Sequence, residues 1–189
     1  MKKIPTVFDR DWNGDRSRVV DVPHRDCAWV FAGEGVATQK LDGTCCLVRG
    51  GRLYKRHEVK AAKAEPEGFE RADWDEETGK AVGWLPVGEG PEDRWHREAW
   101  GKTIGHTADG TYELIGPKIQ GNPEQATAHI LHPHDDATLF MKPGPERTFD
   151  GIRDWLTGRD IEGIVFHHPD GRMAKIKLRD FGLKRASKA

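Results

Sequence analysis

Short runs of apolar and β-branched residues, bounded by turn residues, predict strands over residues 36–40, 44–49, 52–59, 111–115, 161–167 and 173–178. Arg49-Gly50-Gly51-Arg52 supplies a two-residue hairpin turn, because paired glycines tolerate positive φ. Pro169-Asp170-Gly171 has the turn chemistry to join the last two strands. In the last strand, alternation puts Lys175, Lys177 and Arg179 on one face and Ala174, Ile176 and Leu178 on the other. One stretch has helical spacing instead: Thr148 caps Phe149, Ile152, Trp155 and Leu156, and Gly158 stops the turn. Residues 1–34 read as irregular, with Trp12, Trp29 and Phe31 as packing anchors. Residues 63–100, rich in Glu, Gly and Pro, read as a surface insertion anchored by Trp74, Trp84, Trp95 and Trp100. The expected class is α+β, dominated by antiparallel sheet.

Length and composition narrow the setting. A chain of 189 residues can close one core without staples, and no apolar run approaches the roughly 20 residues that cross a bilayer. The start, MKKIPTVFDRDWNGDR, breaks into charge before a secretory segment could form, so a soluble, intracellular, cytoplasmic protein is expected. Cys27, Cys45 and Cys46 are odd in number and contain no CxxC pair, which points to free thiols. Net charge is -1, yet residues 40–63 carry seven Lys or Arg against Asp42 and Glu58. Residues 171–189 carry seven against Asp180 alone, and residues 65–98 hold eleven acids against four bases. Two basic segments suffice for a polyanion without raising the isoelectric point, and they equally describe ordinary solvated faces.

Several residues stand out chemically. ATQKLDGTCCLV places Lys40 between two strands, ahead of Asp42 and a glycine that admits close backbone approach. An ordinary lysine at pH 7 is neutral in only about 4 molecules in 10,000, a handicap of about 4.6 kcal/mol for a nucleophile. Arg56, Lys175 and Lys177 are candidate cations to offset it. Paired lysines on one strand face suit a phosphate, or an edge strand that resists aggregation. Glu162 and Glu113 are acids set in apolar strands, where a carboxylate needs a partner. Near phosphates that partner is a hard cation such as Mg²⁺. His129, His132 and His134 beside Asp135 and Asp136 can be drawn as a zinc site, but a strand followed by a proline turn explains them more simply. GEGVAT lacks the third glycine and the following helix of a nucleotide loop. Cys45 and Cys46 alternate inward and outward, so at least one is buried and inert.

KLDG at Lys40, Arg56 on the next hairpin, the E-L-x-G element at Glu113, EGIVF at Glu162 and K-I-K at Lys175 and Lys177 stand in one order along the chain. That order resembles the covalent nucleotidyltransferase superfamily of DNA ligases, RNA ligases and mRNA capping enzymes. KLDGTCC, GWLPV with RWH, YELIGPKIQGNP, the HPH element and IEGIVFHHPDG are more narrowly similar to the small vertebrate-type 5′-3′ RNA ligases, from about Ala37 to Leu183.

The resemblance implies a single nucleotidyltransferase (adenylation) domain over residues 1–189, with a tryptophan-rich insertion at about 63–105. It implies that Lys40 attacks ATP to form a lysyl-AMP, that the AMP passes to an RNA 5′-phosphate, and that a 3′-hydroxyl displaces it. Lys40, Lys175 and Lys177 would be catalytic. Gln39, Lys40, Asp42, Arg56, Glu113, Glu162, Lys175 and Lys177 would contact the nucleotide, and Glu162 would organise Mg²⁺ or Mn²⁺. Expected partners are ATP and RNA with 5′-phosphate and 3′-hydroxyl ends, with no membrane and no obligate protein partner. Only twelve residues follow Lys177, too few for the OB-fold of DNA ligases and capping enzymes, which makes DNA sealing and capping the weaker alternatives. Leu131, His132 and Phe140 are candidates by position for stacking on adenine. A nucleotide- or RNA-binding module that kept this fold without catalysis is the alternative of a different class.

Overall fold

The computed structural model of the chain describes residues 3–76, 78–103 and 107–186. Residues 77, 104 and 105 of the tryptophan-rich segment lie outside these, as do residue 106 and the chain ends at 1–2 and 187–189. In chain order the elements are β1 (Phe8–Arg10), β2 (Val19–Pro23), α1 (Ala28–Phe31), β3 (Val36–Lys40), β4 (Thr44–Arg49), β5 (Arg52–Lys60), β6 (Glu70–Asp75) and β7 (Lys80–Pro86). There follow α2 (Arg94–Thr103), β8 (Gly110–Ile115), β9 (Ile130–Pro133), α3 (Phe149–Leu156), β10 (Gly163–His167) and β11 (Met173–Lys177). The class is α+β with antiparallel sheets. The elements divide into two compact units.

One unit holds residues 4–41 and the chain from residue 137 on. Its main sheet is antiparallel in the order β11-β10-β3, and β1 pairs with β2 beside it. Ala37, Ile164, Phe166, Ala174 and Ile176 send their side chains into a core shared with Val7, Phe8, Val30, Ile152 and Leu156. Each large apolar side chain removed from water there contributes about 1.5–3 kcal/mol as an upper bound. Because strand side chains alternate, burying that set leaves Thr38, Lys40, Val165, His167, Lys175 and Lys177 on the opposite face. α3 forms where helical spacing predicts it. Thr148 Oγ1 accepts from Gly151 N at 3.0 Å, Ile152 and Leu156 are fully buried, and Gly158 follows at φ +77°.

The other unit holds Lys3 and Asp42–Asp136, built on a six-stranded sheet in the order β6-β7-β5-β4-β8-β9. Gly50 and Gly51 turn β4 into β5 with φ of 56° and 71°, values that a side chain would strain. Cys46, Val48, Leu53, Tyr112, Leu114 and Leu131 form the core, with Ala99 of α2 buried among them and Trp95 and Trp100 packed against it. The tryptophan-rich segment supplies β6, β7 and α2. β7 is hydrogen-bonded between β5 and β6, and Ala81, Val82 and Trp84 are buried. Beneath α2, Lys55 Nζ donates to Asp93 Oδ1 at 2.5 Å with both groups largely withdrawn from water.

Four local expectations need correction. Residues 1–34 are not wholly irregular, since they form β1, β2 and α1. Trp12 is no packing anchor: it is 51% exposed, with Arg16 5.6 Å from its ring centroid. The last strand stops at Lys177, and Leu178 begins a 3-10 turn over Leu178–Phe181, so Arg179 is exposed on that turn and does not continue the lysine face. β10 likewise begins at Gly163, leaving Glu162 just ahead of it.

Candidate functional site

Lys40 is the last residue of β3 and Glu162 precedes the first residue of β10, the strand paired with it. Lys40 Nζ donates to Glu162 Oε2 at 2.5 Å and to Leu41 O at 3.2 Å. Lys177 Nζ, the last residue of β11, donates to the other carboxylate oxygen, Glu162 Oε1. The three side chains are only 13–19% exposed. Burial alone would raise the Glu162 carboxyl, but the charges of Lys40 and Lys177 and the hydrogen bonds from both outweigh it and hold the group below the ordinary carboxylate value. Two ammonium heads thus converge on one anion. The amine of Lys40 in this ion pair is an ammonium and carries no lone pair, so attack on an electrophile requires that Glu162 be drawn away and a proton lost.

Lys175 lies on the same face as Lys177, two residues back, across Val165 from Thr38. Its backbone N donates to Pro5 O and its carbonyl accepts from Val7 N, both at 2.9 Å, so β11 is held on both edges. Thr38 is buried, and its hydroxyl donates to Val165 O at 3.1 Å and lies 3.1 Å from His167 Nε2. Gln39, paired with Ile164, alternates away from this face. Asp180 and Arg10 were not singled out by the sequence, yet they fix the end of β11. Buried Asp180 accepts from Lys177 N at 2.8 Å through Oδ2 and from Arg10 Nη1 at 2.8 Å through Oδ1. The signal was local: an acid three residues after the strand end, followed by Gly182, is a capping pattern.

The division between the units falls between Leu41 and Asp42, so Asp42, Arg56 and Glu113 belong to the second unit. There Asp42 N donates to Glu124 Oε1 at 3.0 Å and Gly43 N to Glu113 Oε1 at 3.1 Å. A Cβ at Gly43 would sit 2.3 Å from Leu114 O, which is why the K-x-D-G element ends in glycine here. Glu113 is 7% exposed and has the partner a buried carboxylate needs: His134 Nε2 lies 2.9 Å from its Oε2. Arg56 stands opposite Trp84 with its guanidinium 5.2 Å from the indole centroid, and burial lowers its pKa from the ordinary arginine value.

The remaining candidates separate. His129 stacks on Trp95 at 4.5 Å, His132 Nε2 lies 3.7 Å from Asp136 and His134 meets Glu113, so the three histidines do not share one site. Leu131 is buried in the core and is unavailable for stacking on a base, whereas Phe140 is 39% exposed beside Thr38. All three cysteines are free. Burial pushes the Cys27 thiol up to about 12 and the Cys46 thiol well above its ordinary value, which makes both inert. Among the described residues no helix is long and apolar enough to cross a membrane.

A family model described as RNA ligase 1 matches residues 102–188, a span that contains Glu113, Glu162, Lys175 and Lys177 and begins after Lys40. RNA ligase 1 of Danio rerio is 26% identical over an alignment taking in 97% of this chain and 82% of the relative. RNA ligase 1 of Mus musculus is 24% identical over 78% of this chain and 67% of its own, and that of Rattus norvegicus is 24% identical over the same shares. The motif order, the family model and these relatives point the same way: the chain is similar to proteins named RNA ligase 1.

Proposed function

We propose that this chain is an ATP-dependent RNA ligase that carries AMP on Lys40 and joins RNA 5′-phosphate and 3′-hydroxyl ends. The observation that carries the reading is the convergence of Lys40 Nζ and Lys177 Nζ on the Glu162 carboxylate. A pair of ammonium heads that already shares one buried anion is suited to a phosphate in its place, and Glu162 acts as the resting counter-ion. Neutral Lys40 Nζ attacks the α-phosphorus of ATP. The N–P bond forms, the bond to the bridging oxygen breaks, pyrophosphate leaves, and the amine's proton passes to solvent. Lys175 and Lys177 offset charge on the α-phosphate as it develops. The AMP is then transferred to an RNA 5′-phosphate oxygen, and an RNA 3′-hydroxyl displaces AMP to close the phosphodiester.

Gln39, Asp42, Arg56 and Glu113 take the nucleotide contacts that the resemblance implies, in a nucleotidyltransferase-type fold. A buried carboxylate held in its charged form is a hard oxygen donor, which fits Mg²⁺, and Glu162 would hold that ion with water and phosphate oxygens completing its shell. When bound, the ion supplies charge neutralisation on the phosphates. Incubation with radiolabelled ATP and Mg²⁺, followed by a denaturing gel, tests the first step. Label on the wild-type chain and none on Lys40→Ala is expected, and an unlabelled wild-type chain would leave a nucleotide- or RNA-binding module as the better reading.

A further inference from the structure

We propose that Cys45, Glu113 and His134 form a binding site for a soft divalent metal ion of the zinc class, distinct from the Mg²⁺ position at Glu162. Cys45 on β4 is paired directly with Glu113 on β8, so both side chains leave the sheet on one face. His134 follows β9 and is fixed twice by Thr111. Its backbone N donates to Thr111 O at 3.1 Å, and its ring Nδ1 lies 3.0 Å from Thr111 Oγ1. That leaves Nε2 aimed at Glu113 Oε2, 2.9 Å away. One sulfur, one oxygen and one nitrogen donor lie within 4.8 Å of one another.

The chemistry selects the ion. Thiolate, imidazole and carboxylate together are a zinc-type donor set, whereas Mg²⁺ takes oxygen ligands alone. Bond lengths of about 2.0 Å to nitrogen and oxygen and about 2.3 Å to sulfur require tetrahedral donors about 3.3–3.6 Å apart. The three donors already lie within 4.8 Å of one another, and binding would draw them to that spacing. The Thr111 contact to Nδ1 is the outer bond that fixes ring orientation in metal-binding histidines. Thiolate and carboxylate balance the two charges of the ion, with Arg56 the cation that acts electrostatically on Cys45. Three protein ligands leave one position for water, and Glu113 Oε1 keeps its bond from Gly43 N while Oε2 turns to the metal. On the proposed function, where Glu113 serves the nucleotide, zinc at this site opposes lysyl-AMP formation.

Titration of the full chain with Co²⁺, without ATP, tests the site directly. A thiolate-to-cobalt charge-transfer band that saturates at one ion per chain and is displaced by Zn²⁺ is expected. It should vanish in Cys45→Ser, persist in Cys27→Ser, and need about 10–100-fold more Co²⁺ in Thr111→Val, which keeps all three donors. Absence of the band in the folded wild type, or its survival in folded Cys45→Ser, overturns the site. In the labelling assay, zinc should suppress the wild type at lower concentration than Cys45→Ser, and equal sensitivity overturns the link to the nucleotide. A wild-type chain that shows the cobalt band but no label in Mg²⁺ alone contradicts the proposed function and leaves the metal site standing.

Discussion

Lys40 and Lys177 are paired in register with opposite sides of one residue, Gly163, so the central strand presents no side chain between them. A Cβ at Gly163 would sit 2.1 Å from Ile176 O and 2.8 Å from Lys177 Cα. Gly163→Ala therefore forces β10 and β11 apart at the row that carries both lysines. A loss of about 1–3 kcal/mol is expected, together with reduced nucleotide labelling at temperatures where the variant is folded. Urea unfolding checks the first, and a midpoint equal to wild type would contradict the packing argument.

Lys175 and Lys177 project from the face of β11 opposite the core, while Ala174 and Ile176 fill the core. Lys175→Ala and Lys177→Ala should keep the fold and lower adenylation by about 10²–10³-fold, the scale of losing one group that stabilises developing charge. Single-turnover labelling measures this. Unaltered labelling in both variants removes the lysine pair from the chemistry.

The pH dependence of stability follows from Glu162, whose folded pKa lies below the ordinary value. Its contribution is fully present above the unfolded value of about 4.3 and is lost as pH falls through the lowered folded value. Glu162→Gln should therefore be less stable than wild type near neutrality, and the gap between them should narrow as the solution is acidified below about pH 4.3. Unfolding midpoints for both chains across that range decide the matter, and a gap that is constant with pH would refute the ion-pair assignment. On the proposed function, Glu162→Ala should also lower nucleotide labelling even at saturating Mg²⁺, and labelling equal to wild type would remove the proposed metal role.

Asp93 tests the second unit. It is 2% exposed, accepts from Lys55 Nζ at 2.5 Å and from Gly88 N at 2.8 Å, and precedes α2. Asp93→Ala leaves the Lys55 ammonium buried without this carboxylate, at a cost of about 3–5 kcal/mol. Thermal or urea unfolding should show this large loss, whereas a change under about 1 kcal/mol would mean that Lys55 finds water.

Much of this was legible in the sequence where one rule acted alone. Alternation over Met173–Lys177 separated core from lysine face, paired glycines marked the β4–β5 turn, and Thr148 with Gly158 bounded α3. The strands at Val36–Lys40 and Thr44–Arg49 also lie where their composition predicts them. What escaped depends on partners distant in sequence. Trp95 and Ala99 share a helix face whose spacing is hidden among prolines, glycines and acids, and Lys55–Asp93 is a pair 38 residues apart. The Lys40–Glu162 contact spans 122 residues, so spacing could nominate each residue but could not join them. Trp12 shows the converse, an aromatic residue that composition assigns to packing and that stands in solvent with Arg16.

On the proposed function, the Lys40 amine carries the nucleotide. Incubation of the wild-type chain with ATP and Mg²⁺, followed by peptide mass spectrometry, should find AMP in phosphoramidate linkage on Lys40, released by addition of pyrophosphate. AMP on another side chain, or an unmodified Lys40 in protein that binds ATP, would contradict the account.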